Sequence, residues 1–381
     1  MAAQHAADKT RLNSLEIGRF LAALTIVLVH MLPYMQSHAV YPAGFAPAFF
    51  ILPGHFCVQY FFALSGFVMV AAHYKDFGRI GAIPRFWWLR VCRIYPAYWL
   101  ALCIPLYYLF GALTPGSAAS LFLLDPWHSQ EFIPAAWTLR YEFAFYIMFG
   151  LFLLPYIGKP LMAYWMIITF WRWNDIPALA VHAKLLLVPN DYAVAYAYKF
   201  VDIYNIYFFG GMAAGYGFVR GRWPARVYMG LAVLGAAALI FYLLPQENWG
   251  EHYGGNSEFN LAVSLALGGV MLGLAGLERL GLLRFGRWAA WLGMLSYPLY
   301  IIHMPLMLLA DNALHWGHYG TVALYLHFAL LLGGTLLASV LITVLYDQPV
   351  QRVLRRLTRR IWPPAPAQAD LGPLHASRSG V

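Results

Sequence analysis

Charged side chains are scarce in this chain of 381 residues, of which 11% are charged and 61% hydrophobic. A soluble domain is about a quarter charged, so the composition excludes an ordinary soluble protein and indicates an integral membrane protein. Cysteine is scarcer still: the three cysteines, Cys57, Cys92 and Cys103, lie in or beside apolar segments. Their spacing provides neither a disulfide framework nor a set of metal ligands.

Long apolar runs are what the chain does contain. A helix needs roughly 20 apolar residues to cross about 30 Å of hydrocarbon. The runs predict an all-α integral membrane protein with about ten transmembrane helices. They lie at about 12–33, 50–73, 90–111, 136–156, 160–173, 203–219, 226–245, 259–278, 289–310 and 320–346.

Basic residues are distributed unevenly between the two sides of these predicted spans. All Lys and Arg residues fall on the side of both termini, except Arg140, Arg172, Lys184 and Lys199. Because basic loops stay in the cytoplasm, both termini are predicted to be cytoplasmic, as an even number of spans requires. The net charge of +9 is then a consequence of topology and gives no indication of nucleic-acid binding.

The predicted spans form one domain, residues 12–346, preceded by a cytoplasmic N-terminal tail, residues 1–11. A C-terminal tail, residues 347–381, follows. Its basic stretch Arg352–Arg360 is expected to lie against the anionic lipids of the cytoplasmic leaflet. The Pro-containing polar remainder is expected to be disordered.

Two ionisable residues share one face of the first predicted span. Arg19 and His30 are eleven residues apart, so they lie within roughly 20° of each other and about 16 Å apart along a helix. An ionised Arg, Lys or Asp at the centre of a membrane helix costs roughly 2.5–3.5 kcal/mol, which makes a functional role worth testing. The alternative is that His30 hydrogen-bonds to a neighbouring helix and serves packing alone.

Six segments rich in aromatic and ionisable residues occur in order along the chain. They are LEIGRFLAALTIVLVH (Leu15–His30), FFALSGFVM (Phe61–Met69), FWWLRVCRIYPAYWL (Phe86–Leu100), WTLRYEFAFY (Trp137–Tyr146), LSYPLYIIHMP (Leu295–Pro305) and YDQPVQRVLRR (Tyr346–Arg356). Together they resemble the acyltransferase-3 family of membrane acyltransferases over residues 12–356.

The resemblance implies a multi-spanning enzyme of the bacterial inner membrane. Such an enzyme takes an acyl group, here expected to be acetyl, from cytoplasmic acyl-CoA and transfers it to a hydroxyl of an extracytoplasmic acceptor. The acceptor class is a glycan or a related molecule such as a lipid-linked saccharide, and no metal is expected. Many members carry an extra esterase-like domain that is not apparent here, which leaves open a separate extracytoplasmic partner protein.

His30 is predicted to be catalytic, and three arginines are predicted to bind the donor. Acyl transfer to an alcohol needs a base or an acyl-imidazole intermediate, and a neutral imidazole such as His30 can supply either. Arg19, Arg90 and Arg93 lie at the cytoplasmic ends of the first and third spans, and their planar donor groups suit the phosphates of acyl-CoA. The preference of basic residues for the cytoplasmic side also places arginines there without any function.

Two roles are open to Glu142, because a carboxylate in the fourth span needs a partner. It could pair with Arg140 for structure, or it could be catalytic and orient His30 as the carboxylate does in a hydrolase triad. Ser65, beside Gly66, fits close helix packing better than a nucleophile.

Three more residues are candidates for binding the acceptor or supporting the site. His303, in the ninth span, could be a second proton-handling group or could contact the acceptor. Tyr300 and Trp137 could serve the same purposes, or they could be packing aromatics.

A transporter of a small organic anion is the alternative class. Ten spans with intramembrane His and Arg and proline-broken helices fit that class too. Against it, the two halves show no sequence repeat, and the arginines cluster at one membrane face.

Overall fold

Helices dominate the structure and position the site. The computed structural model describes residues 12–38, 54–109, 120–123, 132–172, 199–243, 257–314 and 321–363, and these contain no β-strand. The α-helices are α1 (Asn13–His38), α2 (Gly54–His73), α3 (Ala82–Leu109), α4 (Trp137–Phe152), α5 (Gly158–Arg172), α6 (Tyr204–Arg220), α7 (Ala225–Leu243), α8 (Ser257–Arg279), α9 (Arg287–Leu314), α10 (Thr321–Ile342) and α11 (Gln348–Ile361). A 3₁₀ turn, Tyr74–Asp76, follows α2, and a π-helical turn, Thr343–Asp347, joins α10 to α11.

Helices α1 to α10 coincide in order with the ten predicted apolar runs. Within the described residues, six helical segments are long and apolar enough to cross a membrane: Asn13–Met31, Phe56–Asp76, Ala225–Tyr242, Glu258–Arg279, Arg287–Asn312 and Tyr325–Ile361. Helices α4, α5 and α6 have 16, 15 and 17 residues, fewer than the roughly 20 that a full span needs. An all-α chain with several candidate membrane helices is therefore confirmed, whereas the count of ten and the cytoplasmic termini stay predictions.

The predicted tails are only partly described. Residues 1–11 and the end of the chain beyond 363 lie outside the described residues. The basic stretch Arg352–Arg360 lies in α11, which continues α10 through the π-helical turn. Val353 and Leu357 are exposed on α11 among its arginines, which is the amphipathic pattern expected of a helix at a lipid surface.

Glycines bring α2 and α6 into backbone contact. A Cβ atom at Gly66 would clash with the carbonyl oxygen of Phe208, and one at Gly211 would clash with that of Ala63. Small residues permit such close approach between membrane helices. Gly66 therefore has the packing role expected for it, and the approach fixes the neighbouring Ser65 in place.

Helices α1 and α9 run side by side in the same direction. Near their starts, a Cβ at Gly293 would clash with the side chain of Glu16. Further along both helices, His30 lies against His303. The start of α1 is also held by Glu278 at the end of α8, whose carboxylate accepts hydrogen bonds from the Ser14 amide and hydroxyl at 2.9 and 2.7 Å. An anionic cap at a helix N-terminus is stabilising, so Glu278 fixes the start of α1 at the end of α8.

Candidate active site

Helices α1, α2, α3, α4 and α9 enclose a cavity of about 120 Å³. Five of the residues predicted from sequence line it: Arg19, Arg90, Arg93, Glu142 and Tyr300. They come from four helices that are distant in sequence. We call this space the arginine cavity, after the three arginines that the structure brings together.

Two of the cavity arginines are paired with carboxylates. Arg19 forms an ion pair with Glu16, one turn earlier on α1, at 3.0 Å. Arg93 lies 3.7 Å from the buried carboxylate of Asp347, and its guanidinium stacks 5.2 Å from the ring centroid of Tyr297. Their positive charge is therefore partly compensated within the protein.

Arg90 is held differently. It makes no ion pair with a carboxylate among the described residues, and its Nη2 lies 3.1 Å from Nε2 of His73. Its guanidinium lies 5.2 Å from the ring centroids of Phe86 and of Tyr146. Its buried Nε has no hydrogen-bond partner in the part of the chain that is described. Because a buried donor without an acceptor is unfavourable, this nitrogen is suited to an anionic ligand.

Among the described residues, Glu142 makes no hydrogen bond to His30 or to Arg140. It accepts hydrogen bonds from Ser65 at 3.2 Å and from the hydroxyl of Tyr146. Arg140 is two positions away on α4, a spacing at which helix side chains do not face each other. Glu142 is thus part of the cavity wall, and its predicted catalytic role stays a prediction.

His30 and His303 form a second centre, which we call the histidine pair. His30 Nδ1 lies 2.9 Å from His303 Nε2, and the two rings are nearly parallel, with 2° between their planes and 5.1 Å between their centroids. His303 is fully buried, and its Nδ1 lies 2.6 Å from the carbonyl oxygen of Tyr300.

The hydrogen-bond pattern fixes the tautomers of a neutral histidine pair. A carbonyl oxygen only accepts, so Nδ1 of His303 carries the proton. Nε2 of His303 is then an acceptor, and Nδ1 of His30 must donate to it. The lone pair of His30 is therefore on Nε2, the atom that a general base or a nucleophile would use.

Tyr300 connects the two centres. Its ring lines the arginine cavity, lies 5.9 Å from the ring of His303 and packs edge-on against Phe61. His30 and His303 do not themselves line the cavity. Tyr300 is therefore a lining residue of the arginine cavity that also contacts the histidine pair.

Trp137 lies apart from the cavity lining. Its ring packs against Tyr141 and Tyr204, with centroid distances of 5.8 and 5.5 Å. Tyr141 in turn donates a hydrogen bond to Asp202 at 2.8 Å and lies 4.4 Å from the ammonium of Lys199. The role of Trp137 in binding an acceptor stays a prediction.

The sequence did not single out several residues that surround Arg90. His73 and Asp76 contact each other at 2.8 Å, and Tyr146 forms one face of the Arg90 environment. The spacing of three between His73 and Asp76 would have suggested the pair, but nothing in the sequence connects it to Arg90. Within the described ranges, no group of three or more His, Cys, Asp or Glu side chains could hold a metal ion.

Comparisons with known proteins agree with the motifs. A family model described as "Acyltransferase domain" matches residues 12–344. A protein named "Acyltransferase MdmB" from Streptomyces mycarofaciens is 31% identical over 156 residues, which are 37% of this chain. The match spans 39% of that relative's length. No solved structure matches the chain.

Proposed function

Because this chain belongs to the acyltransferase domain family, and is therefore an acyltransferase, we propose that it moves an acyl group across the bilayer from cytoplasmic acyl-CoA to an acceptor hydroxyl. We propose acetyl as the acyl group and a glycan or lipid-linked saccharide on the outer side as the acceptor. The bacterial inner membrane is the proposed location, and a separate extracytoplasmic protein is a proposed partner. Family membership favours this enzyme over the transporter alternative.

The observation that carries the proposal is the arginine cavity. Coenzyme A carries several phosphates at one end and its thioester at the end of a long flexible arm. Three guanidinium groups line one cavity, and that of Arg90 has no carboxylate partner among the described residues. Arginine recognises phosphate through paired, charge-assisted hydrogen bonds. We infer that the anionic end of acyl-CoA binds here and that the thioester extends towards Tyr300.

The histidine pair supplies the chemistry in this proposal. His303 holds His30 in the tautomer that presents the Nε2 lone pair, as an orienting residue does for the base of a hydrolase. In one route, Nε2 of His30 takes the proton of the acceptor hydroxyl, and the hydroxyl oxygen attacks the thioester carbon. The C–S bond then breaks, and the CoA sulfur receives that proton from the imidazolium.

In the other route, His30 Nε2 attacks the thioester carbon first, and the C–S bond breaks to give an acyl-imidazolium and the CoA thiolate. The acceptor hydroxyl then attacks the acyl carbon, the N–C bond breaks, and the hydroxyl proton passes to the thiolate. Both routes use the same atom, and both need the acyl end of the donor to pass Tyr300. Movement of this side chain is therefore part of the proposed cycle.

The decisive experiment measures transfer of labelled acetyl from acetyl-CoA by the purified enzyme in lipid nanodiscs. The acceptor source is membrane vesicles from cells that lack the gene. His30→Ala should lower transfer about 10³-fold, within the range for loss of a general base, without changing CoA affinity. His327→Ala, at a histidine on α10, is the matched control. Transfer retained by His30→Ala, or no saturable CoA binding by the parent, would contradict the proposal.

A further inference from the structure

His73 and Asp76 form a hydrogen-bonded chain that ends on Arg90. His73 is the last residue of α2, and Asp76 closes the 3₁₀ turn that follows it. Nδ1 of His73 lies 2.8 Å from Oδ2 of Asp76, and Nε2 lies 3.1 Å from Nη2 of Arg90. Resting on the proposed function, we propose that this Asp76–His73 pair is a positioning device that aims Arg90 at the anionic end of acyl-CoA.

The direction of the chain follows from the donors. A guanidinium has only N–H donors, so Nε2 of His73 must accept from Arg90. The proton of a neutral His73 is then on Nδ1, where it faces the Asp76 carboxylate. Asp76 thus fixes the tautomer of His73, as carboxylates do for histidines that bind metals, and His73 presents its lone pair to Arg90.

Aromatic rings confine both members of the contact. The ring of His73 packs edge-on against Phe86 and Phe149, with centroid distances of 4.9 and 6.4 Å. The guanidinium of Arg90 lies against Phe86 and Tyr146. A guanidinium held at Nη2 by His73 and packed against two rings loses little freedom when a ligand binds. Its Nε, which is buried without an acceptor in the described structure, and its other Nη hydrogens are the donors that remain for that ligand.

A histidine serves this purpose better than a carboxylate. Arg19 and Arg93 lie within 4 Å of Glu16 and Asp347, so each loses part of its positive potential to a direct ion pair. Attraction between charges falls with distance, and the neutral His73 ring separates Arg90 from Asp76. Arg90 is thereby fixed in place while retaining more of its charge for phosphate than either neighbour.

The experiment compares two donors in the full-length enzyme in nanodiscs: acetyl-CoA, and acetyl-pantetheine, which has the thioester arm without the phosphates. His73→Ala should raise KM for acetyl-CoA about tenfold, as expected for loss of a hydrogen bond to a charged group, with kcat within about twofold of the parent. Both constants for acetyl-pantetheine should stay within about twofold. His73→Gln, which keeps an acceptor, should recover most of the acetyl-CoA affinity.

Asp76→Ala should show the same selective effect at a smaller size, about threefold in KM. Lys75→Gln is the matched control, because Lys75 is exposed in the same turn and should leave both donors unchanged. If His73→Ala does not fold, His73→Gln and Asp76→Ala decide the question by the same comparison.

The positioning role is overturned if the His73 and Asp76 variants impair both donors equally, or if they leave acetyl-CoA unaffected while Arg90→Ala raises its KM. In that second case the proposed CoA site stands and only the positioning role fails. If Arg90→Ala also leaves acetyl-CoA unaffected, both inferences are wrong.

Discussion

The arginine cavity and the histidine pair are built in opposite ways, although Tyr300 touches both. The cavity arginines keep contact with solvent, with 26% of the Arg19 side chain and 35% of the Arg93 side chain exposed. His303 is fully buried, and its contacts include a backbone carbonyl and the rings of His30 and Tyr300. In the proposed function, the first region would admit an anion from water, whereas the second would fix a proton position away from water.

This difference separates binding from chemistry. An arginine that binds phosphate must not be fully neutralised by a neighbouring carboxylate. The cavity arginines meet this requirement, because aromatic rings contact Arg90 and Arg93 and ion pairing in the cavity is only partial. A histidine that accepts a proton must be neutral beforehand, and the hydrogen bond to His303 fixes which of its nitrogens carries the lone pair. Substitutions in the two regions should therefore change different kinetic constants, which the following predictions test.

Among the predictions that compare the two regions, the largest expected effect is that of His303→Ala. Without Nε2 of His303, Nδ1 of His30 loses its acceptor and the His30 tautomer is no longer fixed. We expect kcat to fall about 10²-fold, less than the roughly 10⁴-fold that follows loss of a tautomer-fixing carboxylate in a triad. KM for acetyl-CoA should stay near the parent value. A rise in KM with an unchanged kcat would assign His303 to donor binding and contradict the division of roles between the two regions.

Arg90→Ala should produce the reverse pattern. Loss of charge-assisted hydrogen bonds to phosphate should raise KM for acetyl-CoA about 30-fold, with kcat changed by about threefold or less. Calorimetric titration with free CoA would show the same loss of affinity without any turnover. Arg220→Ala, at an exposed arginine that ends α6, is the control for a general loss of positive charge. An equal loss of affinity in that control would show that the overall field, and not the cavity, attracts the donor.

Glu142→Gln tests to which region this carboxylate belongs. The amide oxygen can still accept from Ser65 and Tyr146, so we expect transfer to stay within about fivefold of the parent. If Glu142 orients His30 or stabilises its charged form, Glu142→Gln should instead lower kcat about as much as His303→Ala does. A large fall in kcat would restore the triad-like role and require a rearrangement that brings Glu142 to His30.

The sequence predicted the helices better than the contacts between them. The apolar runs match α1 to α10 in order because an apolar segment in a bilayer must satisfy its backbone hydrogen bonds within a helix. Bilayer thickness did not predict the lengths of α4, α5 and α6, which are shorter than a full span. Arg19, Arg90 and Arg93 were singled out because they stand in recognisable motifs at the predicted cytoplasmic ends of spans, and their role in binding stays a prediction. Their convergence on one cavity could only be expected from the family resemblance.

The partner of each site residue was not predictable. His30 meets His303 across 273 positions, and Glu142 meets Ser65 across 77. Periodicity gives the face of a helix but not the neighbour that the face will contact, because glycine contacts such as Gly66 against Phe208 set the register between helices. The sequence therefore predicts a packing role for Ser65, although its hydroxyl also donates a hydrogen bond to Glu142.

Tyr300→Phe should have the smallest effect and sharpens the comparison most. The hydroxyl contacts Thr138 at 2.7 Å and donates to the carbonyl of Ala135 at 2.8 Å, whereas the contact that fixes His303 comes from the backbone carbonyl. Phenylalanine keeps that carbonyl and the ring, and the hydrogen bonds that it loses are neutral and do not involve His30 or His303, so kcat and KM should each change by about twofold. Both constants would be measured in the labelled-acetyl assay. A fall in kcat close to that of His303→Ala would mean that the hydroxyl itself acts on the donor as the thioester passes from the arginine cavity to the histidine pair.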